Sequence, residues 1–473
     1  MSSVAPEHRA IATRGAWLPT EQRAHGKKRN VSSMSLLFVL GVTALLIALA
    51  IAMQTTGYEV WGALLVGSVL LVVTIPLATR AAKLENDPKV GRIILLALFV
   101  KLSIGSLARY FVAHVVYSAS DAQGYYNAGL LLVPQFQRWN FADLGALIGT
   151  RFVEVVSGIV LTIINETQLG EFIVFSWMSF LGLYLFYQAF RLAFPEGDHK
   201  RYRLLIFFWP SMLFWPSSVG KDAWMVWMLG MCALGVANLM VGRFRGFAWL
   251  AVGSFGCIMV RPHLALIIVA AFALGLVLRR NRGAYSRMLA RPLGTIVLFV
   301  GMIVFGALTF QQTQSFFKLD SLDLESAQAV IDSTTLKTAE GGSSFTPPSP
   351  NSPLGFVEAT VTVMFRPFPT EVGGAAFLTG LEGMALATLV VISWRRVVRI
   401  PRMMLQNAYV AFSVGYSFIF IFAFASISNF GILARERSQF FPLLFVLLAL
   451  PKKKGRGEVD EASEDPDALV AAN

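Results

Sequence analysis

Charged side chains stand beside prolines, tryptophans or the ends of apolar runs at five places in the chain. An aspartate in such a position can act as a base toward a bound hydroxyl group. Arginine suits phosphate, because its planar fork makes paired, charge-assisted hydrogen bonds. Together these residue types predict a site for a phosphate-bearing donor and a hydroxyl-bearing acceptor. The candidate residues are Asp121 and Tyr125; Lys221 and Asp222; Arg261 and His263; Arg366; and Arg435, Arg437 and Gln439.

Several of these residues also have a structural interpretation. Asp121 can cap a helix that starts at Ala122, which is a common use of aspartate. Asp222 in the first turn of a helix is favoured by the helix dipole. The same helix N-terminus, with Lys221 and nearby serine hydroxyls, would equally hold an anion such as phosphate. Glu436 can pair with one of the arginines beside it, and any single arginine can extend toward lipid headgroups.

The composition predicts an all-α polytopic membrane protein. Hydrophobic residues make up 55% and charged residues 14% of the 473 positions, which is more apolar surface than a water-soluble fold of this length could bury. The apolar runs have roughly 17 to 24 residues, the length of a membrane-spanning helix. They are continuous and not two-periodic, which excludes an outer-membrane barrel. Cys232 and Cys257 lie within such runs and offer neither a disulfide framework nor a zinc site.

Lysines and arginines cluster in short loops between the runs, and the positive-inside rule assigns these loops to the cytoplasm. The chain must then cross an even number of times between Arg92 and Lys200, where three apolar runs are present. The run from Phe152 to Ile164 is the shortest, so we predict an amphipathic or re-entrant helix on the outer surface. About twelve spans remain. They are expected near 35–53, 59–79, 93–117, 171–194, 203–218, 222–241, 246–260, 263–279, 292–310, 374–394, 405–427 and 436–450.

This topology predicts a central membrane domain between two cytoplasmic tails. The expected location is the bacterial cytoplasmic (inner) membrane, with the chemistry on the external face. Both tails are polar and are expected to be disordered. One part of the second external segment is rich in Gly, Ser, Thr and Pro and is predicted to be flexible. The boundaries are 1–34 and 451–473 for the tails, 35–450 for the membrane domain, 118–170 and 311–373 for the external segments, and 337–353 for the flexible part.

Five cations do not follow the positive-inside rule, because they map to the external ends of predicted spans. They are Lys221, Arg261, Arg366, Arg435 and Arg437. A cation in or near hydrocarbon costs roughly 2.5–3.5 kcal/mol on insertion scales, and it persists mainly when it is paired or lines a wet cavity. We therefore predict that these cations converge around a lipid-borne anion.

The motifs resemble those of the GT-C superfamily of integral-membrane glycosyltransferases, in particular actinobacterial-type members with surface-polysaccharide functions. The resemblance rests on Asp121-Ala-x-x-Tyr125, the Pro-Ser…Phe-Trp-Pro-Ser-Ser-x-Gly-Lys221-Asp222 turn, Arg261-Pro-His263 and Arg435-Glu-Arg437-x-Gln439. It implies external juxtamembrane helices, Asp121 as catalytic base and a polyprenyl-phosphate-linked sugar as donor. The remaining candidates, Arg366 included, would bind substrate or hold the leaving phosphate. The implied partners are that donor, a glycan or lipid acceptor and the bilayer, and no nucleic acid is expected. Because Asp121 is a lone carboxylate, metal ligands are not assigned and a divalent cation stays open.

Three other functions are compatible with the same residues. A polymerase or ligase that moves a whole oligosaccharide from undecaprenyl pyrophosphate would use the same external cations. A lipid-linked sugar flippase or transporter would also have about twelve spans with basic inner loops, although such proteins often show internal repeats and mid-membrane polar residues. A non-catalytic partner in a polysaccharide export complex is the third. Replacing Asp121 by Asn should separate an enzyme from a scaffold.

Overall fold

The computed structural model describes residues 31–116, 120–278, 306–307, 334–339 and 343–451, with the side chains of 31–42 left aside. The described chain is built of helices, and its β-structure is limited to one isolated bridge. The prediction of an all-α fold is confirmed for these residues. Four described helices are long and apolar enough to cross a membrane, and several shorter apolar helices accompany them. Both predicted tails lie largely outside the described residues.

The helices are numbered here in chain order. The first eight are α1 (Val31–Thr55), α2 (Tyr58–Leu84), α3 (Pro88–Val116), α4 (Asp121–Gln137), α5 (Thr150–Ile164), α6 (Gln168–Ala193), α7 (His199–Phe208) and α8 (Pro210–Phe214). The others are α9 (Lys221–Met240), α10 (Arg245–Val260), α11 (Pro262–Val277), α12 (Pro353–Phe365), α13 (Ala376–Ile392), α14 (Trp394–Val397), α15 (Ile400–Gln406), α16 (Ala408–Phe424) and α17 (Phe430–Leu448). Helix α1 belongs to a separate unit, Met1–Gln54, and all contacts given below lie within Thr55–Asn473.

The four long apolar helices are α2, α3, α6 and α9, and each covers a predicted span. The total of twelve spans stays a prediction, and the span expected at 292–310 lies outside the described residues. One expected span has a different form. Residues 203–218 do not form one helix, because α7 ends at Phe208 and α8 begins at Pro210. Proline lacks the N–H that would continue α7 and forces the residue before it out of helical geometry, and Trp209 is extended.

Helices α6 and α9 form the centre of the fold and are buried along most of their length. They cross at Gly182 and Gly230, where a methyl group on either glycine would overlap the backbone of the other helix. Small residues of this kind allow the close approach that drives helix association in a membrane. This crossing fixes the start of α9, where Lys221 and Asp222 lie.

The apolar run from Phe152 to Ile164, which the even number of crossings excludes as a span, forms helix α5 with 15 residues. At 1.5 Å per residue this helix is about 22 Å long, short of the ~30 Å hydrocarbon core. It packs against α4, where the Ser157 hydroxyl donates a hydrogen bond of 3.0 Å to the carbonyl of Tyr125. The sequence therefore located this helix correctly, and its position on the outer surface stays a prediction.

Part of the segment expected to be flexible is attached to the last helix. Ser344 forms an antiparallel bridge with Asn429, and the N–H of Phe345 donates to Ser428 O at 2.8 Å. The ring of Phe345 stacks on Phe430 with centroids 4.2 Å apart. We call residues 343–345 the strap. Because Phe430 opens α17, the strap is joined to that helix at its first turn.

Candidate functional site

A hollow of about 330 Å³ lies where the start of α4, the turn before α9 and the start of α17 meet. We call it the Asp121 hollow. Its wall brings together segments that are far apart in the sequence and includes one residue of the strap. The lining residues include Arg109, Asp121, Tyr125, Trp215, Gly220, Asp222 and Arg435.

Asp121 is the first residue of α4 and not its N-cap. The cap is Ser120, whose hydroxyl accepts a hydrogen bond from the N–H of Gln123. The structural alternative that made Asp121 the cap is therefore wrong, although the helix begins where the sequence indicated. The Asp121 side chain is 63% exposed and its Oδ2 lies 2.9 Å from Nη1 of Arg435. The carboxylate of Asp121 is therefore accessible to solvent and in contact with a guanidinium group.

Arg435 connects Asp121 to a second carboxylate, because its Nε lies 2.5 Å from Oδ2 of Asp222. Asp222 is buried in the first turn of α9. Its other oxygen lies 3.4 Å from Nη2 of Arg261, and Arg261 also pairs with Glu436. Positive and negative groups thus alternate along one chain of contacts from Asp121 to Glu436.

The convergence predicted from the sequence is therefore present for part of the set. Lys221 interacts electrostatically with Arg261 and Arg435 and with both Asp121 and Asp222, and Arg435 interacts with the same two carboxylates. The chain of contacts holds three carboxylates and two arginines, so with Lys221 its formal charge is zero. Such balance is expected where water is partly excluded, since an uncompensated buried charge is costly. Lys221 makes no ion pair or side-chain hydrogen bond with the described residues.

Tyr125 forms a wall of the hollow, and its side chain packs against Gly220. A Cβ placed on Gly220 would lie 3.4 Å from the Tyr125 ring. Burial, together with the nearby Asp121 carboxylate, raises the pKa of Tyr125 to about 12. The phenol is therefore neutral at physiological pH and can donate a hydrogen bond to a ligand oxygen. Gly220 has φ +150°, a backbone conformation reserved almost entirely for glycine.

Arg109 is a functional candidate that the sequence analysis did not select. It lies within α3, inside a predicted span, and lines the hollow. Its guanidinium carbon is 5.0 Å from the ring centre of Phe214 and 5.2 Å from that of Trp215. An arginine inside a membrane helix is by default a functional-site candidate, so the signal was in the sequence. The tryptophan of the Phe-Trp-Pro-Ser motif thus contacts a cation at the hollow.

Six of the candidates do not line the hollow. Lys221 and Arg261 lie close to residues that do line it, as described above, and the other four make contacts elsewhere. Arg437 is buried and donates to the carbonyls of Val363 at 2.7 Å and Thr362 at 3.3 Å, so its guanidinium joins α17 to α12. Arg366 binds Glu371 at 2.6 Å and its guanidinium stacks over two phenylalanines. The Gln439 amide donates to Glu436, and His263 faces Phe424 with centroids 6.1 Å apart.

The metal question stays open in the described part of the chain. No group of three or more His, Cys, Asp or Glu side chains there is arranged to hold a metal ion. Asp121 and Asp222 both contact Arg435. A bound cation between them would have to displace that guanidinium group.

Comparison with known proteins gives no further guide to the site. No protein-family model matches the chain, and neither curated proteins nor solved structures give a match.

Proposed function

We propose that this protein is a glycosyltransferase of the bacterial cytoplasmic membrane, with both termini cytoplasmic and its site on the external face. It transfers a sugar from a polyprenyl-phosphate donor to a glycan or lipid acceptor of the cell envelope. The observation that carries this proposal is the exposed carboxylate of Asp121 beside Arg435 in a hollow that Arg109 also lines. A base next to guanidinium groups is what transfer from a phosphate leaving group needs.

In this mechanism Asp121 removes the proton of the acceptor hydroxyl. The acceptor oxygen then forms a bond to the anomeric carbon of the sugar, and the bond from that carbon to the phosphate oxygen breaks. Asp121 becomes neutral while the lipid phosphate gains one negative charge. Arg435, which pairs with Asp121 at 2.9 Å in the resting protein, then has a new anionic partner close by. Electrostatic stabilisation thus increases where charge develops.

The other residues have supporting roles in the proposal. Lys221 and Arg109 add positive charge toward the phosphate, and Tyr125 donates a hydrogen bond to a sugar or phosphate oxygen. Asp222 positions Arg435, since its carboxylate contacts Arg435 Nε. Arg261 positions Asp222 in turn. Arg261, unlike Arg435, does not line the hollow and is bound to two carboxylates, so we assign it no direct phosphate contact.

The size of the hollow favours a single sugar over a whole repeat unit. At about 330 Å³ it is at the small end of ligand pockets, which run from about 300 to 1,000 Å³. One sugar phosphate fits such a volume, whereas an oligosaccharide repeat would extend beyond it. The repeat-unit polymerase, the flippase and the assembly partner are therefore alternatives, and the following experiment distinguishes them from a single-sugar transferase.

The test uses purified protein in lipid nanodiscs with radiolabelled lipid donors. A single-sugar polyprenyl phosphate should give labelled product with the natural protein and at least about 100-fold less with Asp121→Asn, the loss typical for a general base. Asp143→Asn is the matched control, because Asp143 is an exposed acid of the same predicted external segment and does not line the hollow. Asparagine also tolerates its left-handed backbone, φ +57°.

Three outcomes would contradict the proposal. Label transferred only from an oligosaccharide pyrophosphate would indicate a polymerase or ligase. Donor movement between leaflets without a new glycosidic bond would indicate a flippase. A cell-surface glycan that is unchanged in cells carrying Asp121→Asn would indicate a scaffold.

A further inference from the structure

A second and larger hollow, of about 620 Å³, is lined by four arginines. Arg80 comes from the end of α2, Arg191 from the end of α6, and Arg243 and Arg245 from the turn that joins α9 to α10. These three segments are separate in the sequence, and the fold brings their guanidinium groups to one place. We call this cavity the Arg191 hollow. It is independent of the Asp121 hollow and of the function proposed there.

The Arg191 hollow lies at the opposite end of α6 from the network beside α4. At the first end, the Gln168 side chain donates to Gln123 of α4 at 3.0 Å. Arg191 follows Gln168 by 23 positions within the same helix, which is about 35 Å along the axis and more than the thickness of the hydrocarbon core. The basic-loop pattern predicts that all three arginine-bearing segments face the cytoplasm. The hollow therefore falls at the level of the inner headgroups.

The charge at this hollow is only partly balanced by the residues around it. Among the described residues that line it there are four arginines and no carboxylate. Glu85 is nearby, but its carboxylate binds Arg203 more closely: Oε2 lies 3.0 Å from Nη1 of Arg203, whereas Oε1 lies 3.9 Å from Nε of Arg191. Arg245 donates to Asn238, a neutral amide, at 2.8 Å. This arrangement contrasts with the Asp121 hollow, where every arginine of the contact chain faces a carboxylate.

One donor at this site also lacks an acceptor. Nη1 of Arg191 is buried and makes no hydrogen bond with the described chain. A buried donor without a partner costs free energy unless a ligand or water supplies an oxygen. Phosphate oxygens suit a set of guanidinium groups, because each group can bind two of them. The arginines of the hollow therefore favour a phosphate group as the ligand.

The remaining wall of the hollow is apolar. Leu77, Leu185 and Trp249 line it beside the arginines. Free phosphate would leave this wall uncovered, whereas a lipid covers it with its acyl chains. Trp and Tyr are typical of the headgroup level of a membrane, and Tyr184 lines the hollow as well.

We propose that the Arg191 hollow binds the phosphate headgroup of an anionic lipid from the cytoplasmic leaflet. The arginines hold the phosphate, and the leucines and Trp249 contact the acyl chains. Basic pockets between membrane helices on the cytoplasmic side are known to select such headgroups.

The test is native mass spectrometry of protein from mixed phosphatidylglycerol and phosphatidylcholine nanodiscs, which counts the lipids that stay bound. Arg80→Gln with Arg243→Gln removes two of the four lining charges, and both residues are exposed, so the fold should be retained. Lys89→Gln with Arg92→Gln is the matched control, because these exposed residues lie at the start of α3, on the same predicted side, and do not line the hollow. We expect retained phosphatidylglycerol to fall about tenfold in the first variant and to stay unchanged in the second.

Two results would overturn the proposal. Equal loss in both double variants would mean that the lipid responds only to the overall positive charge of this side. Displacement of the lipid by millimolar inorganic phosphate, with no preference for phosphatidylglycerol over phosphatidylcholine, would mean that the hollow holds a free anion. An Arg80→Lys, Arg243→Lys variant should keep part of the retention, because it preserves charge and loses only the paired hydrogen bonds.

Discussion

Arg435 and Asp121 are 314 positions apart in the chain, and their side chains form a hydrogen bond of 2.9 Å between Nη1 and Oδ2. This contact joins the last described helix to the first helix of the predicted external segment. It also places a guanidinium group against the carboxylate that we propose as the base. Any substrate that enters the Asp121 hollow meets this pair.

The two carboxylates that bind Arg435 should contribute very differently to stability. Asp121 is 63% exposed, whereas the side chain of Asp222 is 10% exposed. Asp121→Asn should therefore change the free energy of unfolding by at most about 1 kcal/mol. Asp222→Asn should cost about 3–5 kcal/mol, because it leaves buried guanidinium groups without their charge partner. Thermal unfolding in detergent, followed by tryptophan fluorescence, measures both, and equal shifts in the melting temperature would contradict the charge chain.

A methyl group at Gly220 should be damaging, while one at Gly124 should not. Gly220 has φ +150° and packs against Tyr125, whereas Gly124 has open space around it within α4. Gly220→Ala should destabilise the protein by about 1–3 kcal/mol and reduce transfer activity. Gly124→Ala should be neutral or stabilise by up to about 1 kcal/mol. Activity and melting temperature of the two variants should be compared, and an active, stable Gly220→Ala protein would show that the turn is not constrained.

Arg396 and Arg395 are neighbours that should respond differently to replacement by Gln. Arg396 is buried and donates to Leu450 O at 2.6 Å and to Asp198 at 2.8 Å, while Arg395 is exposed beside Trp394. Arg396→Gln should cost about 1–3 kcal/mol, because it leaves the carbonyl of Leu450 and the partly buried carboxylate of Asp198 without their donor. Arg395→Gln should stay within about 0.5 kcal/mol. Similar melting temperatures for the two variants would argue against this role of Arg396.

The same ion pair should make the protein sensitive to acid. Burial opposes ionisation of Asp198, but hydrogen bonds from Arg396 and from the Arg201 backbone hold the pKa of Asp198 below its ordinary value. The stabilisation is therefore complete above the unfolded-state pKa of about 3.9 and is lost as the pH falls through the lower folded pKa. Melting curves below about pH 4 should show a smaller further loss in Asp198→Asn than in the natural protein. Parallel curves would contradict the link.

The turn after α12 should show a second, local effect of acid. Partial burial opposes the charge of Glu371, yet Arg366 and the N–H of Phe368 lower the pKa of Glu371, and that N–H donates to Glu371 at 2.7 Å. Protection of the Phe368 amide from hydrogen exchange should therefore persist at neutral pH and disappear as the pH falls through that lowered pKa. In Glu371→Gln the protection should be weaker and independent of pH over this range. A pH-dependent protection in that variant would assign the effect to another group.

The sequence predicted the helices better than it predicted which side chains contact each other. Apolar runs give the helices, since hydrophobic length is a local property. Which side a residue faces depends on the packing of whole helices. Arg435 and Arg437 were both assigned to the phosphate, but two positions along a helix turn the side chain by about 200°. One therefore faces the hollow, and the other binds Thr362 and Val363 of α12.

The other differences between sequence and structure also concern which side chains contact each other. Glu436 was expected to neutralise one arginine beside it, and instead it pairs with Arg261, 175 positions away. Arg366 pairs with Glu371 in its own motif, a contact that a Pro-rich turn allows and the sequence pattern alone does not reveal. Arg109 was overlooked because it lies within an apolar run, yet three-dimensional packing brings it against Phe214 and Trp215.

The strap links the wall of the Asp121 hollow to the helix that bears Arg435. Its backbone is bonded to residues 428 and 429, six or seven positions ahead of Arg435 in the chain, and Ser343 itself touches the space where a sugar would bind. Under the proposed function, a donor or acceptor that displaces Ser343 is therefore expected to shift the first turn of α17. We expect the loading of substrate and the release of Asp121 from its guanidinium partner to occur as one coupled movement.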